Sequence, residues 1–185
     1  MSQLNKSLIG RQVIVAGWVE DIRDIGRLVF VVIRDTTGSA QAIARGESVG
    51  IAKELSRQSS VVVRGILKES EARDFPFEIS IQDISVQARA SNSLPIDATG
   101  RISSSIDKRI DSRALDLRNP AVSTIFKIRA LASSSIREIL SREGYLEVNT
   151  PKIIGTASEG GANLFSFDYF KKKAYLAQSP QLYKE

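Results

Sequence analysis

The 185 residues carry 26 lysines and arginines against 21 aspartates and glutamates, a formal charge of +5, with an apolar fraction of 42%. That balance permits an ordinary packed core and favours polyanionic partners without naming one. Cysteine and histidine are both absent, which excludes disulfides, the common zinc sites, Cys- or Ser–His nucleophilic catalysis and a histidine general base within these residues.

No apolar run approaches the roughly 18 residues of a membrane span, and the first residues lack the apolar stretch of a secretory leader. A cytoplasmic, membrane-free protein is the expectation. From there the chain reads as strands with one helix. Gln12–Ile22 is valine-rich, with Gly17 where a barrel strand must bend sharply. Arg27–Arg34 is a nearly continuous apolar run, and Thr36-Thr37-Gly38 turns the chain into Ser39–Arg45. Ser48–Arg57 places Ile51 and Leu55 at i, i+4, which predicts a short helix. Ser60–Lys68 is again β-branched. Phe77–Arg89 alternates Phe77, Ile79 and Ile81 against Glu78, Ser80 and Gln82, then shifts phase to Ile84, Val86 and Ala88. That slip predicts a bulge near Gln82-Asp83.

Three strands, a helix and two strands is the order of the OB-fold, a five-stranded barrel that often binds oligonucleotides. Pattern alone leaves another small barrel or an open α+β sheet as alternatives. After residue 92 the composition turns to Ser, Asn, Pro and Gly, which reads as a linker or hinge over 93–119. Asn119-Pro120 then supplies a cap and a first-turn proline for a helix running to about Glu143. Its apolar positions, from Ile125 and Ile128 to Ile139 and Leu140, share one face, and Gly144 is placed to end it. A short strand through Val148, a Gly-rich loop and a hairpin turning at Lys171-Lys172-Lys173 are expected beyond. The predicted organisation is α+β: a barrel over 1–92, the linker, and an α/β region over 120–185.

Two stretches in that last region decide the reading. The helix end followed by Gly144-Tyr145-Leu146-Glu147-Val148-Asn149-Thr150-Pro151 resembles motif 1 of class II aminoacyl-tRNA synthetases, whose helix and strand form a dimer interface closed by the proline. Ala157-Ser158-Glu159-Gly160-Gly161-Ala162-Asn163-Leu164-Phe165, together with Gln178-Ser179-Pro180-Gln181-Leu182-Tyr183-Lys184, resembles the aspartyl-tRNA synthetases of the archaeal and eukaryotic type. The resemblance implies the N-terminal portion of such an enzyme, with Pro151 at a homodimer interface. It also implies a lid containing Ser158 and Glu159 that folds over aspartate, with Gln181 and Lys184 lining the pocket.

The residue types suit that ligand. Aspartate offers an ammonium, for which Glu159 and Gln181 are acceptors, and a side-chain carboxylate, for which Lys184 is a cation. Ser179-Pro180 reads as a cap and first turn, so Gln181 and Lys184, three apart, share a helical face.

The same resemblance gives the barrel an anticodon to read, by aromatic stacking and edge hydrogen bonds to unstacked bases. Phe30 matches the stacking position, Gln41 and Glu78 match base-reading positions, and Arg23 is a phosphate or base contact. Phe30 also lies in an apolar run, so a place in the core is its other reading. Asp107–Arg118 resembles the family's hinge, except that Ala114 stands where an aromatic is common.

The family's motifs 2 and 3 do not occur in these residues. ATP and Mg²⁺ are therefore expected of the complete enzyme and not of these 185 residues, which are expected to form no aspartyl adenylate alone. Two alternatives stand beside this reading. One is an asparaginyl-tRNA synthetase, against which the lid and Lys184 argue, since a neutral amide calls for no paired lysine. The other is a short non-catalytic tRNA-binding module.

Overall fold

The computed structural model describes residues 1–155 and 164–184. Five strands, β1 (Gln12–Asp24), β2 (Leu28–Asp35), β3 (Gly38–Arg45), β4 (Ser60–Glu69) and β5 (Phe77–Ala88), close a barrel in the order β1-β2-β3-β5-β4. The helix α1 (Ser48–Lys53) lies between β3 and β4 in sequence. This is the five-stranded OB order that the sequence predicts. Period-2 alternation decides which side chains enter the barrel. Val29, Val31 and Ile33 of β2 are fully buried, as are Val61, Val63 and Leu67 of β4 and Ile79 of β5. Each contributes roughly 1.5–3 kcal/mol by leaving water.

The helix is shorter than expected and presents a different face. Ile51 is exposed, while Ala52 and Leu55 join the core. α1 ends at Lys53, so the four-residue spacing of Ile51 and Leu55 no longer places them on one side.

Three irregularities shape the barrel, one of them at Gln87 between the pairs Ser60–Ala88 and Val61–Val86. Asp83 pairs with Arg64 and Ile81 with Gly65, which leaves Gln82 unpaired as the predicted bulge. A second bulge is at Glu20, between the pairs Val19–Ile33 and Asp21–Val32. The barrel also needs two glycines where strands cross at close quarters. A Cβ on Gly17 would lie 2.3 Å from the Arg34 carbonyl oxygen, and one on Gly65 would lie 2.3 Å from that of Ser80.

The β2–β3 turn is held by Asp35. Its carboxylate accepts from the Met1 ammonium at 2.5 Å and from the Thr37 amide at 2.7 Å. Burial pushes this carboxyl up, but those hydrogen bonds and the ammonium charge outweigh it and hold the pKa at about 2, below the ordinary 3.8. A carboxyl depressed in the folded state adds stability that is fully present above its unfolded pKa and is lost as pH falls through the folded one. Asp35 therefore adds at most about 2 kcal/mol at neutral pH. Asp35→Asn should lower the urea midpoint at pH 6 and converge with wild type near pH 2. Parallel curves across that window would show that the carboxylate contributes nothing.

The first compact unit runs from Met1 to Pro120 and so includes residues 93–119, which the sequence assigns to a linker. Ile96 and Ala98 are buried. The Asp97 carboxylate accepts from the amides of Thr99 and Ile102, at 2.9 and 3.0 Å, and folds the chain into a tight turn. Two short helices follow, α2 (Ile106–Asp111) and α3 (Arg113–Asp116). Asp116, 4% exposed, joins them by ion pairs of 2.8 Å to both Arg109 and Arg113. Arg118 lies 4.4 Å over the Trp18 ring and donates to the Gln58 side chain at 2.8 Å.

The second unit, Ala121–Glu185, contains most of α4 (Pro120–Arg142). Its apolar stripe forms as predicted, yet Ile125, Ile128, Leu131, Ile136, Ile139 and Leu140 are all exposed; among the described residues only Val122 of this helix is buried. The helix ends at Gly144, φ +87°. The Gly144 amide bonds the Ser141 carbonyl and the Tyr145 amide bonds that of Leu140, a Schellman close.

The strand expected through Val148 does not form: residues 145–150 have no regular structure and Leu146 is 90% exposed. A strand needs a paired neighbour for its backbone groups, and none flanks this segment among the described residues. The strands nearby are β6 (Ile153–Ile154), β7 (Ser166–Tyr169) and β8 (Lys172–Leu176), in the order β6-β8-β7. The β7–β8 hairpin turns at Phe170-Lys171, not at the three lysines. Phe167 pairs with Ala174, and this register carries Lys173 opposite Asp168 and Lys172 opposite Tyr169. Among the described residues no helix is long and apolar enough to cross a membrane.

Candidate nucleic-acid interface

Pairing register brings the four barrel residues singled out by the sequence onto one outer face. Arg23 of β1 is opposite Phe30 of β2, which is opposite Ile43 of β3. The next row runs from Asp21 through Val32 and Gln41 to Glu78 on β5. Paired residues on one face have Cβ atoms about 5 Å apart, and diagonal neighbours are about 7–8 Å apart. Arg23, Phe30, Gln41 and Glu78 therefore occupy two adjacent rows across four strands.

Phe30 lies on the outer side of β2, half-buried, between the core residues Val29 and Val31. The reading of Phe30 as core is therefore wrong for this strand. The Arg23 guanidinium lies 4.8 Å over its ring, so the two side chains present one cationic, flat surface. Gln41, 8% exposed, is the most enclosed of the four, while its parallel neighbour Glu78 is half-buried.

The edges of this face hold groups that the sequence reading missed. The bulge at Glu20 turns its carboxylate outward, where it takes hydrogen bonds from Arg34 at 2.5 Å and Ser39 at 3.0 Å. Asp21 is paired with Arg57 at 2.6 Å and with Arg101 at 3.2 Å. Burial raises the Asp21 pKa, but the hydrogen bond and charge of Arg57, the Ile22 amide and the Arg101 charge together bring it below the ordinary value. No local signal marks these partners, since Arg57 and Arg101 are 36 and 80 residues away in sequence.

In the second unit, α5 (Gln181–Lys184) starts where Ser179-Pro180 predicts, with the Ser179 hydroxyl accepting from the Gln181 amide at 3.2 Å. Gln181 and Lys184 are both exposed. Lys184 borders a groove of about 780 Å³ with Tyr145, Leu146 and Glu147. Pro151 is exposed just before β6. Ser158 and Glu159 lie outside the described residues.

Comparison with known proteins bears on both units. A model of the OB-fold nucleic acid binding domain matches residues 13–87, and a model of the class II tRNA synthetases (D, K and N) matches residues 105–185. The chain belongs to the class II tRNA synthetases. Among its relatives in that family is the aspartate–tRNA(Asp) ligase of Pyrococcus horikoshii, 41% identical over 100% of this chain and 43% of the relative. The aspartate–tRNA(Asp/Asn) ligase of Sulfurisphaera tokodaii is 43% identical over 95% and 42%. The chain thus spans less than half the length of these relatives.

Solved synthetases share the fold. The asparaginyl-tRNA synthetase of Pyrococcus horikoshii, complexed with asparaginyl-adenylate, superposes with a TM-score of 0.83 at 35% identity, covering 98% of this chain and 43% of that one. The aspartyl-tRNA synthetase of Entamoeba histolytica gives 0.77 at 25%, covering 97% and 40%. The barrel is the part of the chain that matches the OB-fold nucleic acid binding domain.

Proposed function

We propose that the whole protein is a cytoplasmic aspartate–tRNA ligase that joins L-aspartate to its tRNA through an aspartyl adenylate, and that the outer face of the barrel reads the anticodon. The observation that carries the barrel's role is the meeting of Arg23, Phe30, Gln41 and Glu78 on two adjacent rows. Stacking needs an accessible flat ring, and Arg23–Phe30 offers one. Edge reading needs a donor and an acceptor beside it, and Gln41 and Glu78 supply both.

For the amino acid, Gln181 and Lys184 share one exposed helical face, so one aspartate can meet both: its ammonium at Gln181 and its side-chain carboxylate at Lys184. Ser158 and Glu159 complete that proposed site. Asparagine ligation is the second reading, favoured by the structural likeness to the asparaginyl enzyme. Lys184 favours aspartate, because it pairs with a carboxylate and gains little from an amide.

The exposed apolar stripe of α4, continued to Pro151, suits a homodimer contact in the whole protein. ATP and Mg²⁺ belong to the complete enzyme in this reading. Among the described residues no group of three or more Asp or Glu side chains converges, and no adenylate is assigned to these residues alone.

Phe30→Ala tests the barrel's role. Loss of the stacking ring should cost about 1–3 kcal/mol of tRNA binding, a five- to 150-fold weaker Kd by fluorescence anisotropy. An unchanged Kd would sink the assignment of this face.

A further inference from the structure

Beyond the reading face lies a groove of about 580 Å³ between the barrel and the segment 91–104. Its lining combines Ile22, Leu55 and Pro95 with Asn92, Asp97, Arg57 and Arg101. The two arginine side chains are 52% and 65% exposed. Both donate to the single carboxylate of Asp21.

We propose that this groove holds one nucleotide of the RNA strand lying on the outer sheet face, with Arg57 and Arg101 binding its phosphate. The inference rests on the tRNA reading above. Arg57, Arg101 and Asp21 together carry one net positive charge, and the Asp97 carboxylate that also lines the groove is held by the Thr99 and Ile102 amides. Each guanidinium has five donors, and Asp21 takes one from Arg57 and two from Arg101. The remaining donors suit a phosphate, whose oxygens accept from planar guanidinium groups in pairs. Asp21 holds the arginines in place before the RNA arrives, which lowers the ordering cost of binding.

Continuity selects RNA as the occupant. Asp21 belongs to the same row as Gln41 and Glu78 and is two residues, about 7 Å, from Arg23 along β1. A strand stacked on Phe30 that continues along β1 reaches the rim of the groove. Ile22, Leu55 and Pro95 then face a ribose or base, and the two arginines hold the phosphate. This contact positions the RNA and is blind to sequence.

The test uses the 185-residue chain and a labelled anticodon stem-loop RNA, followed by anisotropy through a salt series. Arg57→Ala and Arg101→Ala should each weaken binding about threefold to tenfold and shrink the slope of log K on log salt, the two together by about 0.7–0.9, one phosphate's share. The loss should be equal for the cognate anticodon and a scrambled one. Arg101→Lys should restore most of the slope, which a purely structural defect would not allow.

Unchanged affinity and slope in both alanine variants, while Phe30→Ala still weakens binding, would overturn the groove and leave the reading face intact. A loss confined to the cognate anticodon would also overturn it. No binding by the wild-type chain would overturn both.

Discussion

Gly65→Ala should destabilise the barrel by about 3 kcal/mol, at the top of the range for overpacked sites. The added methyl carbon would sit 2.3 Å from the Ser80 carbonyl oxygen and 2.7 Å from a methyl of Ile79. The first of those atoms is backbone in a paired strand and cannot swing away. Relief requires β4 and β5 to separate just beside the Gln82 bulge, with loss of ladder hydrogen bonds on both sides.

Gly50→Ala is the matched control. Gly50 lies inside α1 with nothing within 4 Å of the new carbon, so the change should stabilise by about 0.5–1 kcal/mol through helix propensity. Urea unfolding followed by the fluorescence of Trp18, the one tryptophan, measures both. Equal midpoints for the two variants would show that β4 and β5 do not cross as closely as described.

The second large effect is expected at Asp116. It is 4% exposed and pairs with both Arg109 and Arg113. Removing one member of a buried ion pair costs about 3–5 kcal/mol. Here the arginine side chains are 34% and 38% exposed and can turn to water, so Asp116→Ala should cost about 2–3 kcal/mol. Asp116→Asn should cost nearly as much, because it keeps the volume and removes the charge.

The damage should be local. Amide exchange should quicken over residues 105–118, while the barrel strands keep their protection. A mild asparagine variant beside a severe alanine one would mean that packing, and not the ion pairs, holds α2 to α3.

What the sequence made legible was periodic. Strict alternation in Phe77–Ala88 and its slip gave both the buried face and the bulge at Gln82, because side chains in a strand have only two directions. Strand order followed from the lone helix between the third and fourth strands. The aspartate-type segments were legible as a resemblance, and residues 105–185 match the synthetase family.

Residues 93–119 were opaque for a different reason. Ser, Pro and Gly there mark turns, but what docks them is Asp21 to Arg101, Gln58 to Arg118 and the ring of Trp18. These contacts join positions 60 to 100 residues apart, beyond the reach of any local pattern. The turn of the β7–β8 hairpin was misplaced because three lysines look polar enough for a loop, whereas the pairing of Phe167 with Ala174 sets the register. At the reading face, residue identity suggested the four side chains. Their grouping into two rows, and the enclosure of Gln41, exist only once the strands are paired.

That grouping is also an order of assembly for the outer face. Gln41 and Glu78 become neighbours only through the short parallel ladder between β3 and β5, which closes the barrel over a separation of 37 residues. Hairpins such as β1–β2 and β2–β3 need only local loop closure, and non-local strand pairing is the slower event. Arg23 and Phe30 can thus meet in an early hairpin, but the full face waits for closure. An RNA that grips both rows binds only the closed barrel and shifts the population toward it by mass action. If that face does read RNA, as proposed, recognition is a late checkpoint on folding, since a barrel that has not sealed lacks the Gln41–Glu78 pair.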